Sequence, residues 1–274
     1  MIRATAADRP AIEAFLKKHI ATSMFALSNL RHHGMAGGHP RAMTFWLRRK
    51  EGEIVDLLPV SQEGMIFPQC PTGPWDMVTA VLAGSRVSGI SGEAVQVAEL
   101  RAALGLPDQG GLDTQEPLYQ LPLARLIVPD CTGFGLRPLR AAPRDLIIGW
   151  RRAYLQEVLP MPGEDTAQKA RDDIASYIAA DSHRVLYQGE TPVAMTGFNA
   201  VLPQAVQIGG VYTPPVSRSR GLARRAVAQH LQEARASGLN HATLFAASPQ
   251  ACKAYEAIGF KRTGRYAILV YPQP

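Results

Sequence analysis

The sequence predicts two α/β domains in one chain, and three observations predict it. A chain of 274 residues with 46% hydrophobic and 19% charged side chains is globular and long enough to bury two cores of ordinary size. Proline and glycine gather at Val128-Pro-Asp-Cys-Thr-Gly-Phe-Gly-Leu136, between two patterned stretches, which gives domains 1–130 and 131–274. Each half then runs through helix, helix, strands, helix, strand, helix, strand, so helical and alternating apolar periods are interspersed.

In the first half, Asp8-Arg9-Pro10 marks a helix start, and Ile12, Phe15, Leu16 and Ile20 share one helical face. A second helix is expected over 23–31, with Phe25, Leu27 and Leu30 inward. Short strands follow at 43–48, 53–59 and 64–68, separated by charged or polar turns. Helices are expected at 75–82 and 93–104 around a strand near 87–90, and 119–128 reads as one more strand.

The second half opens with Pro143-Arg144-Asp145 and an amphipathic helix to Leu159, its inward stripe being Leu146, Ile147, Trp150, Tyr154 and Val158. Another helix covers 166–179. Strands are expected at 183–188, 193–199 and 205–213, with Gly189-Glu-Thr-Pro192 and Leu202-Pro203 as turns. A helix over 221–237 keeps Leu222, Val227 and Leu231 inside. The pattern closes with a buried strand at 242–246, a helix at 249–258 stopped by Gly259, and a strand at 266–271.

Residues 209–223, Gly-Gly-Val-Tyr-Thr-Pro-Pro-Val-Ser-Arg-Ser-Arg-Gly-Leu-Ala, carry the chemistry. An apolar strand meets a double proline that cannot continue a ladder, and a basic turn leads straight into a helix. Arg218 and Arg220 bring two cations to that helix start, where unpaired N–H groups point outward, and Gly221 and Ala223 keep it uncrowded. The arrangement suits a phosphate.

The spacing Arg218-x-x-Gly221-x-Ala223 resembles the pyrophosphate-binding signature of the GNAT superfamily of N-acetyltransferases, Gln/Arg-x-x-Gly-x-Gly/Ala. Gly210-Val-Tyr-Thr-Pro-Pro215 before it looks like the family's splayed fourth strand. About thirty residues downstream, Ala251-Cys-Lys-Ala-Tyr-Glu-Ala-Ile-Gly-Phe260 is similar to the second family signature. Ser248, where the family often has Asn, and Ser219, where many members carry Gly, depart from the pattern without removing backbone donors. These motifs cover 206–260, while over the whole chain the resemblance is to tandem-domain acetyltransferases, with a degenerate first half.

The resemblance implies two GNAT-like domains, each with a mixed, mostly antiparallel central sheet flanked by helices. It implies acetyl-CoA as co-substrate, no metal, and a primary amine on a small molecule or peptide as acceptor. Val211, Tyr212, Thr213, Arg218, Ser219, Arg220, Gly221, Leu222, Ala223, Arg224, Ser248 and Lys253 would meet CoA, with Val211 binding the thioester carbonyl and Thr213 the pantetheine amide. Tyr255 would protonate the leaving sulfur. No Glu stands on the strand Ala205-Val-Gln-Ile208 to act as base, and His183, Glu190 and Glu256 are ionisable candidates without a place. Transfer of a different acyl group, or CoA binding without turnover as a sensor or interaction module, are the alternatives.

In the first half the corresponding turn is Cys70-Pro-Thr-Gly-Pro-Trp75, which lacks Arg and has few free N–H groups, so no cofactor is expected there. Residues 1–130 carry 12 Lys/Arg against 13 Asp/Glu, and residues 131–274 carry 17 against 10. The positive charge thus collects with the phosphate loop, and without an interleaved aromatic platform it argues against nucleic acid. Three cysteines without ligand spacing read as reduced thiols. His32, His33 and His39, among Gly34, Gly37 and Gly38, read as a loop over the acceptor side of the cleft rather than a metal site. No apolar run approaches the roughly 18 residues a membrane span needs, and the first twenty residues lack a signal-peptide core. A cytoplasmic monomer or homodimer is expected.

Overall fold

A computed structural model describes residues 1–107, 111–160 and 165–271. The chain divides into two compact units, Met1–Glu116 with Gly264–Pro274, and Pro117–Thr263. The first contains β1 (Ile2–Arg3), α1 (Arg9–Lys18), α2 (Ile20–His33), β2 (Met43–Lys50), β3 (Glu53–Ser61), β4 (Met65–Ile66), α3 (Trp75–Leu82), β5 (Gly89–Glu93) and α4 (Ala94–Ala103). Strand β6 (Leu112–Pro122) begins in the first unit and ends in the second. The second unit continues with β7 (Phe134–Pro138), α5 (Arg144–Val158), α6 (Thr166–Ala179), β8 (His183–Gln188), β9 (Thr191–Val201), β10 (Ala205–Tyr212), α7 (Leu222–Ala236), β11 (His241–Phe245) and α8 (Pro249–Glu256). Strand β12 (Lys261–Val270) returns to the first.

Both units share one sheet plan. In the first, β1, β2, β3 and β4 pair antiparallel in turn, β4 pairs β5 in parallel, and β5 pairs β12 antiparallel from Gly89 with Val270 to Glu93 with Tyr266. In the second, β7, β8, β9 and β10 pair antiparallel, β10 pairs β11 in parallel, and β11 pairs the end of β6 antiparallel from His241 with Pro122 to Phe245 with Leu118. The strand that completes each sheet therefore comes from the other half of the sequence. Each is a mixed, mostly antiparallel sheet flanked by helices, the fold class the sequence predicts.

Helices cover both faces of the second sheet. Val206, Ile208, Ala242 and Leu244 meet Val227 and Leu231 of α7 and Tyr255 of α8 on one face. On the other, Val185, Tyr187, Met195 and Tyr212 meet Ile147 and Trp150 of α5 and Ile174 of α6. Helices α5 and α6 are tied by Arg151, which is 6% exposed and pairs with Asp173 at 2.6 Å.

Several elements differ from the sequence expectation. The apolar run 123–128 is not a strand: Leu123–Arg125 is a single 3-10 turn, and β6 lies upstream, in a segment whose Asp113, Gln115 and Glu116 hide its alternation. Residues 134–138, of which 134–136 are expected within the boundary segment, form β7 against β8. On α5 the buried face includes Arg151 and Leu155 rather than Val158. Helix α2 starts at Ile20, so that residue belongs to α2, and Met24 and Ala26 are buried where Phe25 is half-exposed.

Candidate functional site

The local geometry follows from two breaks in β10. Its register with β9 passes from Gly209 opposite Gly197 to Tyr212 opposite Met195, so Gly210 and Val211 together face Thr196 in a bulge. Gly210 sits there at φ +62°. Pairing with β11 runs from Ala205 to Ile208 and ends at Leu244, while β10 continues to Tyr212. Ala246, beyond β11, donates instead to the carbonyl of Pro117 at 3.1 Å. Among the described residues, no strand pairs the β11-facing edge of β10 from Gly209 onward, as strand parting requires.

After Pro214 a 3-10 turn, Pro215–Ser217, leads to the start of α7. Ser219 and Gly221 both lie in the left-handed region, at φ +62° and +70°. Gly221 is the N-cap of α7, and a Cβ there would lie 2.9 Å from Arg224 Nε and 3.0 Å from Arg225 Nη1. Among the described residues, no acceptor takes the backbone N–H groups of 219–221, and those of Leu222 and Ala223 fall in the first helical turn, beyond intrahelical pairing. Positive dipole, free N–H groups and nearby arginines make this an anion site.

The arginines do different work. Arg218 folds back, donating from Nε to the carbonyl of Thr213 at 3.0 Å and pairing with Glu157 of α5 at 2.6 Å. Arg220 reaches Gln188 at 3.1 Å. Arg225 braces the loop by donating to the carbonyls of Arg220 at 2.9 Å and Asp130 at 2.8 Å. Arg224 lies against Gly221, and its Nε is buried without a hydrogen-bond partner.

The other predicted site residues fall into three places. Val211 packs beside Ala246 and Tyr255 in one apolar cluster, which brings the bulge, the end of β11 and α8 together. Tyr255 is 6% exposed and meets Phe260 edge-on. Tyr212 turns to the opposite face against Trp150, its phenol pushed above the ordinary value by burial and by Glu157. The Thr213 hydroxyl is buried without a partner. Leu222 packs in the core beneath Ala194 and Leu186, and Ala223 is half-buried. Ser248 caps α8, accepting from the N–H of Ala251 at 3.2 Å, while Lys253 is exposed on the same helix.

Of the three unplaced ionisable groups, two are engaged elsewhere. Glu190 pairs with Arg137 at 2.7 Å, and its pKa is lowered by that hydrogen bond. Glu256 accepts from the hydroxyl of Tyr119 at 2.7 Å. His183 lies on the α5/α6 side of the sheet at the β10 bulge, where a Cβ on Gly210 would stand 2.8 Å from its Nε2. Among the described residues no group of three His, Cys, Asp or Glu is placed to hold a metal. His33 and His39 stack with ring centroids 3.8 Å apart, and the three cysteines are free thiols. No helix among the described residues is long and apolar enough to cross a membrane.

The equivalent turn of the first unit has its donors occupied. Cys70 N–H goes to Gln96 Oε1 at 2.6 Å, Thr72 N–H to Asp56 Oδ1 at 3.0 Å, Gly73 N–H to Cys70 O and Trp75 N–H to Gly73 O. A buried carboxylate of the chain itself, Asp56, serves there as the anion and is paired with Arg48.

The sequence model of the Acetyltransferase (GNAT) family matches residues 146–260. Among curated proteins none matches the chain. Solved structures similar over the whole chain include a Drosophila protein, with TM-score 0.64, 13% identity and coverage of 100% of this chain and 99% of that one. A tandem GNAT protein from the clavulanic acid biosynthesis pathway matches with TM-score 0.55 and 13% identity, over 100% and 98% of the two chains. A GCN5-related N-acetyltransferase from Kribbella flavida matches with TM-score 0.56 and 16% identity, over 93% and 95%. At these identities the likeness is one of fold. Residues 146–260 thus carry the sequence pattern of the GNAT acetyltransferase family, and the chain as a whole has the tandem GNAT fold.

Proposed function

We propose that the chain transfers an acetyl group from acetyl-CoA to a primary amine of a small molecule or peptide. The observation that carries this reading is the bare edge of β10 running directly into the anion-binding turn at 218–223. A pantetheine arm paired along that edge would leave its pyrophosphate at the free N–H groups of the turn. Arg220, Arg224 and the exposed Lys253 supply positive charge for the phosphates, and Ser219 to Ala223 supply donors. Arg218 contributes by holding the Thr213 carbonyl and so shaping the turn.

In this reading the Val211 N–H binds the thioester oxygen, stabilising the charge that develops as the amine attacks. The new C–N bond forms, the C–S bond breaks, Tyr255 gives its proton to the leaving thiolate, and the amine nitrogen loses one to water, from which Tyr255 is reprotonated. Tyr255 suits that role because it shares an apolar, water-poor cluster with Val211. One CoA per chain is proposed, since the first unit's corresponding turn spends its donors on Gln96, Asp56 and its own carbonyls.

The test is the purified chain with acetyl-CoA and a panel of primary amines, following thiol release and the mass of the product. Amine-dependent thiol release with an acetylated product is expected. Tight CoA binding without thiol release for any amine would replace the enzyme with a CoA-binding module.

A further inference from the structure

His183 is fully buried in the second unit, and its Nε2 has no hydrogen-bond partner. Its ring lies across the sheet from β8 toward β10. A Cβ at Gly197 would overlap the ring, and one at Gly210 would reach Nε2 at 2.8 Å, so two glycines leave the space the imidazole fills. Tyr177 of α6 stacks on it at 3.6 Å and 10°. An apolar ring would pack between Tyr177 and the glycine backbone without burying an unpaired nitrogen, which costs desolvation with no return. The nitrogen therefore calls for a use.

Its position suggests which. Nε2 meets Gly210, the first residue of the bulge, and the next residue is Val211, to which the thioester oxygen is assigned above. Nδ1 lies 2.9 Å from Ser182 Oγ. With Nδ1–H donating to that hydroxyl, Nε2 presents a lone pair to the bulge. Burial holds the imidazole well below its ordinary pKa, and its electrostatic coupling to His230 of α7 and to the cations Arg151 of α5 and Arg184 of β8 acts in the same direction, so it stays a neutral acceptor at neutral pH. Asn199, two residues beyond Gly197, lies over Gly209 and is exposed, which places a solvent-facing polar side chain beside the bulge.

We propose that His183 Nε2 is the hydrogen-bond acceptor that orients the attacking amine at the β10 bulge, directly or through one water. This rests on the acetyl-transfer reading of the site. Through such a contact the amine's lone pair is aimed at the carbonyl carbon, and the side chain that strand β10 itself lacks is supplied from β8.

Two measurements on the full chain test it. With acetyl-CoA and ethylamine as donor and acceptor, His183→Leu is expected to lower kcat/KM for the amine by about thirtyfold, with the CoA dissociation constant within about threefold of the parent. His183→Gln, which returns a polar atom near the Nε2 position, is expected to recover to within roughly fivefold of the parent. In the parent labelled with 15N-histidine, adding ethylamine to the CoA-bound protein is expected to shift the His183 Nε2 resonance. Amine kinetics of His183→Leu within about threefold of the parent, a Gln variant as impaired as Leu, or an unmoved resonance would each overturn the proposal. A resonance that moves in a parent unable to release CoA would uphold the contact and remove the transfer reading instead.

Discussion

Tyr255 and Phe occupy nearly the same space, so one oxygen can be removed from the Val211 cluster without opening it. Tyr255→Phe is expected to lower turnover by about a hundredfold with little change in CoA affinity, because the leaving thiolate loses its proton donor. Turnover within about twofold of the parent in a steady-state assay would make Tyr255 a packing residue. At this scale the sequence was most informative about backbone. Gly221 is readable as a position for φ > 0 at a helix start, and the structure places it at +70°. Ser219, also at positive φ, carries a strain of order 1 kcal/mol that a glycine would not. Side-chain partners were not legible. Nothing local tells that Arg218 would turn to Glu157, 61 residues earlier, or that Arg225 would brace the Arg220 carbonyl.

At the scale of elements, α7 is held to the sheet partly by His230, which is 2% exposed and stacks on Phe198 of β9 at 3.7 Å. Burial, with Arg184 adding to it, pushes its pKa down to about 3, and His183 on β8 is lowered in the same direction. The unfolded chain takes up these protons below about pH 6.5, whereas the folded chain resists until about pH 3 for His230. Stability is therefore unaffected by these groups above pH 6.5 and falls as pH drops below it. The slope approaches about 1.4 kcal/mol per pH unit for each histidine. Urea unfolding at pH 7 and pH 5 checks this, and His230→Gln is expected to make the decline shallower by one proton's worth. An unchanged slope would mean that His230 is not buried neutral. Periodicity found helices α3 and α6 and strand β8 at their observed bounds, because each carries a clean stripe between clear stops. It placed β6 too late, overlapping it only at 119–122, and missed β7; exposed polar and glycine positions hide the period of both.

In the whole molecule, each sheet is completed by a strand from the other half of the sequence: β12 pairs β5, and the end of β6 pairs β11. Local patterning cannot show such an exchange, since each strand looks the same whichever neighbour it joins. A boundary drawn through the proline and glycine cluster at 128–136 consequently detaches β6 from the sheet it completes. A fragment of residues 131–274 would expose one edge of β11 and leave β12 without β5, a combination that invites aggregation. It is expected to be insoluble or unfolded by circular dichroism, and a monomeric, cooperatively melting fragment would contradict the exchange.

The claim that the turn at 218–223 is the chain's single CoA site is tested most directly by calorimetric titration of the full chain with CoA, alongside Gly221→Val. One CoA per chain is predicted for the parent. The folded Gly221→Val protein is expected to lose binding by a few kcal/mol, because a β-branched residue at φ +70° strains the turn and crowds the anion. A stoichiometry near two, or undiminished affinity in the folded variant, would contradict it.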